Sequence, residues 1–115
     1  MIRYSIYKYK IPAAHVFSLY LPEGALILSV QTQYNEPQLW AMVPISDNHL
    51  KPVPTQERVF LIFTTGADIR KEEYDQACSG SLVHIGTFQL SEGTLVFHLF
   101  EDINVNKELK AKKFC

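Results

Sequence analysis

The side chains in this sequence that could do chemistry are scattered, not grouped. Its four histidines are His15, His49, His84 and His98, and none falls in an HxH or HExxH spacing. Two cysteines, Cys78 and Cys115, stand far apart with no CxxC partner. Metal sites draw on such residues at close ligand spacing, so neither a metal nor a cofactor is expected. Nucleophilic catalysis needs a hydroxyl or thiol backed by a base. No GxSxG elbow occurs, and neither cysteine has a histidine near it in sequence. Glu72-Glu73 pairs two carboxylates, but on a stretch with helical character, where acids usually face water. No glycine-rich phosphate loop is present. The expectation is a protein that is not an enzyme.

Binding is then the chemistry to look for, and three places offer it. At Tyr7, Lys8, Tyr9 and Lys10, rings and cations interleave. Rings that stack on bases, with cations on phosphates, are a common grip on nucleotides; the other reading is an edge strand guarded by lysines. From Arg58 to Arg70, hydroxyls at Thr64 and Thr65 precede Gly66 and a helix start. This is either an anion cradle or an ordinary strand-to-helix turn, and Asp68 would compete for the same donors. His84 and His98 fall on the two arms of one hairpin. They either meet across it, where they could hold a phosphate or a metal, or form a half-buried bonded pair, or lie on opposite faces.

The elements that must position these residues read as strands. Leu21–Met42 is the organising stretch, a hairpin turning at Tyr34-Asn35-Glu36-Pro37. Asn tolerates unusual backbone angles there and Pro fixes its own φ. In the first arm, Leu26, Leu28, Val30 and Thr32 alternate with polar residues and are expected on the buried face. The second arm, Gln38–Val43, has almost no polar interruption and carries the only Trp, so it is expected to be buried on both faces with Trp40 in the core. Ile2–Tyr9 reads as a strand ended by Pro12, and Val16–Leu21 as another, with Phe17, Leu19 and Leu21 inward. Pro22-Glu23-Gly24 would turn it into the hairpin as a meander.

Residues 44–56, with three prolines, read as a long loop, and Val59–Phe63 as an apolar strand. Asp68–Cys78 has the one helical pattern, capped by Asp68 with Ile69 and Tyr74 inward. Leu82–Leu90 and Leu95–Phe100 form a second hairpin across Ser91–Thr94. The fold class expected is mainly β: an antiparallel sandwich or small barrel of about seven strands with one short helix. Residues 1–103 form a single β domain. Residues 104–115 form a basic tail, either an arm for an anionic partner or a solvated terminus.

Composition narrows the setting. At 115 residues, 47% hydrophobic and 20% charged, the chain suits one globular domain. A net charge of −1 argues against bulk nucleic-acid binding. No apolar run approaches the roughly 20 residues of a membrane helix, and no signal-peptide pattern opens the chain. Free thiols fit a reducing compartment, with a single disulfide as the alternative. A cytoplasmic protein is expected. Short strands with two apolar faces commonly pair with a copy of themselves, so a homo-oligomer is expected as well.

Certain residues also resemble a family. They are Lys8-Tyr9 with Pro12; Leu21-Pro22 with Gly24-Ala25 and Ile27-Leu28-Ser29-Val30-Gln31; Pro37 with Leu39-Trp40-Ala41; Ile85-Gly86-Thr87; and Leu95-Val96 with His98 and Phe100-Glu101. Across about residues 2–101 the chain resembles small proteins, largely bacteriophage-encoded, labelled as domains of unknown function. Where that family has a GTGH turn, this chain has Thr64-Thr65-Gly66-Ala67. The resemblance implies a sponge of the anti-CBASS kind, an oligomer that sequesters a cyclic nucleotide signal of host defence in the host cytoplasm without cleaving it. Its ligand-binding residues would be Tyr7, Lys8, Tyr9, Arg58, Thr64, Thr65, Arg70, His84 and His98. The alternative is a protein-binding inhibitor or adaptor of a host enzyme, or a virion accessory part.

Overall fold

The computed structural model describes residues 2–48 and 50–104. Along them run β1 (Ile2–Lys10), β2 (Val16–Pro22), β3 (Leu26–Gln33), β4 (Glu36–Ser46), β5 (Thr55–Thr64), α1 (Lys71–Ser79), β6 (Leu82–Leu90) and β7 (Leu95–Asp102). All strand pairings are antiparallel. One sheet has the order β1-β4-β3 and the other β2-β5-β7-β6. Of the two expected forms the open, sandwich-like one is found, with no closed barrel among the described residues. His49, Cys115 and residues 105–114 of the basic tail lie outside the described residues. No helix among the described residues is long and apolar enough to cross a membrane.

Alternation along the strands builds one core between the sheets. Val30, Leu39, Ala41 and Val43 come from the first sheet; Leu21, Phe60, Ile62, Phe88 and Leu99 come from the second. Each large side chain here contributes about 1.5–3 kcal/mol by leaving water. Phe17 stacks on Phe60 and Phe88 on Phe97. A second, smaller cluster of Leu61, Phe63 and Leu82 lies on the opposite face of β5 and its neighbours.

One charged pair is placed inside this core. The Arg58 Nε and Nη2 groups donate to Glu101 Oε2 and Oε1 at 2.6 and 2.8 Å, and Nη1 donates to the Ala25 carbonyl at 2.7 Å. The fork thus ties β5 and β7 to the start of β3 in the other sheet.

Two bulges set which residues face where. In β3, Ile27 pairs with Ala41 but Ser29 pairs with Trp40, leaving Leu28 as the extra residue. A bulge swaps the alternation. Ala25 therefore points inward before it and Val30 after it, while Leu26 and Leu28 stay exposed at 59% and 42%. This corrects the unbroken Leu26–Thr32 face expected from the sequence. The second bulge lies at Ile85 in β6.

Trp40 also differs from expectation. Leu39, Ala41 and Val43 take the core face of β4. Trp40 sits half-buried on the outer face, with the Lys8 ammonium 5.9 Å from its ring. The run was apolar because both faces carry hydrophobic residues, yet only one is covered by the second sheet.

The turn at Pro22-Glu23-Gly24 is present, with Ala25 N–H donating to Pro22 O at 3.0 Å and Gly24 at φ 86°. It does not make a meander. β2 pairs with β5 and β3 with β4, so the turn carries the chain from one sheet to the other. Tyr34 and Asn35, at φ 54° and 59°, form the two-residue hairpin turn. β4 runs on through Pro44 to Ser46, which shortens the expected loop.

In α1 the N-cap is Arg70, not Asp68: the Glu73 carboxylate accepts from the Arg70 backbone N–H, closing a capping box. Ile69 and Tyr74 are exposed, and Glu73 is the residue that turns inward.

Candidate functional site

The outer face of the β2-β5-β7-β6 sheet carries the site. β7 is a central strand there. His98 pairs with Phe63 of β5 on one side and Thr87 of β6 on the other. Directly opposed residues share a face, so the three side chains point the same way. His84 joins them because of the bulge at Ile85. Past that bulge His84 pairs with Phe100, two residues along β7 from His98, so all four lie on one face. In an unbroken strand, His84 and Thr87 would point to opposite faces.

The connection from β5 to α1 forms the wall. Thr65 N–H donates to Val96 O at 3.0 Å, and Ala67 N–H donates to Thr64 O at 3.0 Å. Gly66 takes φ 87°, a backbone region that glycine enters without strain. The tight turn swings the Thr65 hydroxyl onto His98 Nε2 at 2.7 Å. The Thr87 hydroxyl meets His98 Nδ1 at 2.9 Å. A hydroxyl both donates and accepts, so His98 is satisfied in either charge state without moving.

The result is a groove of about 410 Å³ between the turn and the sheet. Phe63 and Phe100 form its floor, edge to face at 5.4 Å. The His84 ring stands 5.1 Å from Phe100 and 6.5 Å from His98. Thr64, Thr65 and Ile69 complete the rim. None of the lining residues is Lys, Arg, Asp or Glu. Among the described lining residues the basic groups are the two imidazoles. Such a groove offers flat rings for stacking, and hydroxyls and imidazoles for hydrogen bonds.

A second cluster lies beside it. His15 shares a ring contact with Phe63 at 5.3 Å and bonds the Ile62 carbonyl through Nδ1 at 3.0 Å. Its Nε2 faces Glu73 Oε2 at 3.5 Å. The Arg70 guanidinium, bonded to Glu73 Oε1 at 3.2 Å, holds that carboxyl below the usual carboxylate range. This cluster anchors α1 against the β1–β2 connection.

Of the nine residues expected from the sequence, the structure brings four together: Thr64, Thr65, His84 and His98. Arg70 adjoins the turn but is engaged by Glu73. Arg58 is directed into the core, where Glu101 and Ala25 take its donors. Tyr7, Lys8 and Tyr9 lie on β1 in the other sheet. There alternation divides them: Lys8 sits on the outer face over Trp40, bonded to Gln33, and the tyrosines lie on the opposite face. Burial, with Tyr7 nearby, raises the Tyr9 phenol above its ordinary value. Phe63, Phe100, Ile69 and Thr87 were not expected in the site. The alternation of β7, which puts Phe100 beside His98, was the signal for one of them. Thr87 needed the bulge.

Among the described residues no three His, Cys, Asp or Glu side chains gather as a metal site. The architecture is therefore an open two-sheet β domain with an aromatic, histidine-bearing groove on one outer face. The chain belongs to the family described as a domain of unknown function, DUF7352, whose model matches residues 3–110. No curated protein and no solved structure matches it.

Proposed function

We propose that this protein is a non-catalytic binder that holds a planar, anionic heteroaromatic ligand of the nucleotide class in the groove beside His98. The observation that carries this reading is the bracing of His98 by Thr65 and Thr87. A base would stack on the Phe63, Phe100 and His84 rings. The His84 imidazole would face its phosphate, with His98 held beside it by Thr65 and Thr87. The hydroxyl–imidazole contacts of the groove, Thr65 and Thr87 on His98, have no carboxylate beside them among the lining residues, which favours holding over cleaving. The resemblance to phage-encoded small proteins extends the reading to a cyclic nucleotide sponge acting against host defence. A sponge works by stoichiometric capture, so its affinity must be high.

The test is a thermal-shift panel of cyclic di- and trinucleotides against the protein and His98→Ala. A ligand present at a hundred times its Kd raises stability by roughly 2.7 kcal/mol, and His98→Ala should abolish that rise. No shift with any of them would count against the nucleotide class.

A second reading, docking of a host protein, is favoured by a different observation. Tyr4, Ile6, Leu26, Leu28 and Met42 are all exposed. By register Tyr4, Ile6, Leu26 and Met42 share the outer face of the β1-β4-β3 sheet, and Leu28 is the bulge residue that follows Leu26 and Ile27 along β3. A single stoichiometric host protein recovered by the wild type and lost in Leu26→Glu would favour it.

A further inference from the structure

β1 is an edge strand. It pairs with β4 along its whole length, Ile2 opposite Ser46 through Lys10 opposite Gln38, with no bulge. Its other edge has no strand partner among the described residues. Both of its faces are open as well: Tyr4 and Ile6 on one are 67% and 53% exposed, and Tyr7 on the other is 47% exposed. The molecule is correspondingly flat, 47 × 38 × 18 Å, and its radius of gyration of 15.5 Å exceeds the ~13 Å of a compact domain of similar length. A long, regular edge with no proline or bulge is a template for another strand.

We propose that a second copy of this chain pairs its β1 with this edge, antiparallel about a two-fold axis at Ile6, joining two three-stranded sheets into one of six. Two-fold symmetry and the length of the strand select the register. A two-fold axis perpendicular to the sheet maps each face onto itself, so Ile6 must meet a partner residue of even number. With Ile6 opposite the partner's Ile6, all nine residues of β1 pair. Arg3 then falls opposite the partner's Tyr9, Tyr4 opposite the partner's Lys8, and Lys10 opposite the partner's Ile2. Arg3 and Lys10 are paired within the chain to Asp47 and Glu36 at 2.6 and 3.0 Å, Lys8 bonds Gln33, and each meets an uncharged partner residue, so no cation is set against another. A slip of two residues keeps the symmetry but leaves two residues of each strand unpaired. The contact covers on the order of 1,000 Å² in total, the lower bound of specific interfaces, so the dimer is concentration-dependent. It is independent of the groove, which lies on the other sheet.

Sedimentation over a range of concentrations tests this, with circular dichroism to confirm folding. The wild type should pass from monomer to dimer as concentration rises. Ile6→Lys, which sets two cations together on the axis, should leave a folded monomer. Tyr4→Lys sets two cation pairs against each other and should do the same. Combining Tyr4→Lys with Lys8→Glu turns those pairs into attractions and should restore the dimer. A wild type that stays monomeric, a dimer indifferent to Ile6→Lys, or a double variant that fails to recover would each overturn the proposal.

Discussion

Arg58 and Glu101 meet as a two-pronged ion pair between the sheets, Nε to Oε2 at 2.6 Å and Nη2 to Oε1 at 2.8 Å. Their side chains are 17% and 8% exposed. Removing one partner strands the other charge in the core, which costs about 3–5 kcal/mol. Arg58→Ala should therefore lower stability by that much in chemical denaturation. Arg58→Met combined with Glu101→Leu should lose much less, because no charge is stranded. Equal losses would mean that the pair acts through the Ala25 carbonyl alone.

Phe60 and Trp40 should respond very differently to truncation. Phe60 has no exposed surface, so Phe60→Ala should cost about 3–5 kcal/mol. Trp40 is partly buried on the outer face, apart from the core cluster, and Trp40→Ala should cost roughly half of that. Denaturation midpoints measured side by side check this. An equal cost would put Trp40 back in the core.

Gly86 lies where the two sheets come close together. A Cβ there would stand 3.0 Å from Val30 Cγ1, and Val30 is itself core. Forcing extra volume into a packed site costs about 1–3 kcal/mol. Gly86→Ala should lower the melting temperature, and Gly86→Ala with Val30→Ala should lose less than the sum of the two single changes. Additive losses would show that the strain lies elsewhere.

Much of the fold was legible because period and turn chemistry agree. The second hairpin, the inward Phe17, Leu19 and Leu21, and the strand count all follow from alternation and from turns at Asn and Gly. The bulges were not legible. Leu28 and Ile85 look like ordinary strand residues, and only pairing with β4 and β7 reveals that each is extra. The error at Leu26 and Leu28 and the uncertainty over His84 share that cause. Arg58 was misplaced for another reason: a sequence shows a cation but not the carboxylate 43 residues later that neutralises it. Tyr7 and Lys8 are adjacent in sequence, and adjacency in a strand means opposite faces.

Acid should weaken the anchor of α1. The Arg70 hydrogen bond lowers the Glu73 carboxyl from its ordinary value. A group lowered in the folded state stabilises the fold fully above its unfolded value. That contribution is lost as pH falls through the folded value. Below about pH 4.3, the ordinary glutamate value, the melting temperature of the wild type should therefore fall more steeply than that of Glu73→Gln. Parallel curves would mean that other carboxylates carry the acid limb.

The most direct measurement is nuclear magnetic resonance mapping of the protein titrated with a cyclic dinucleotide. The imidazole signals of His84 and His98 and the amides of Thr65, Gly66 and Thr87 should shift together and saturate at one ligand per groove. Saturating shifts confined to the β1-β4-β3 sheet, or no shifts at all, would contradict the groove as the binding site.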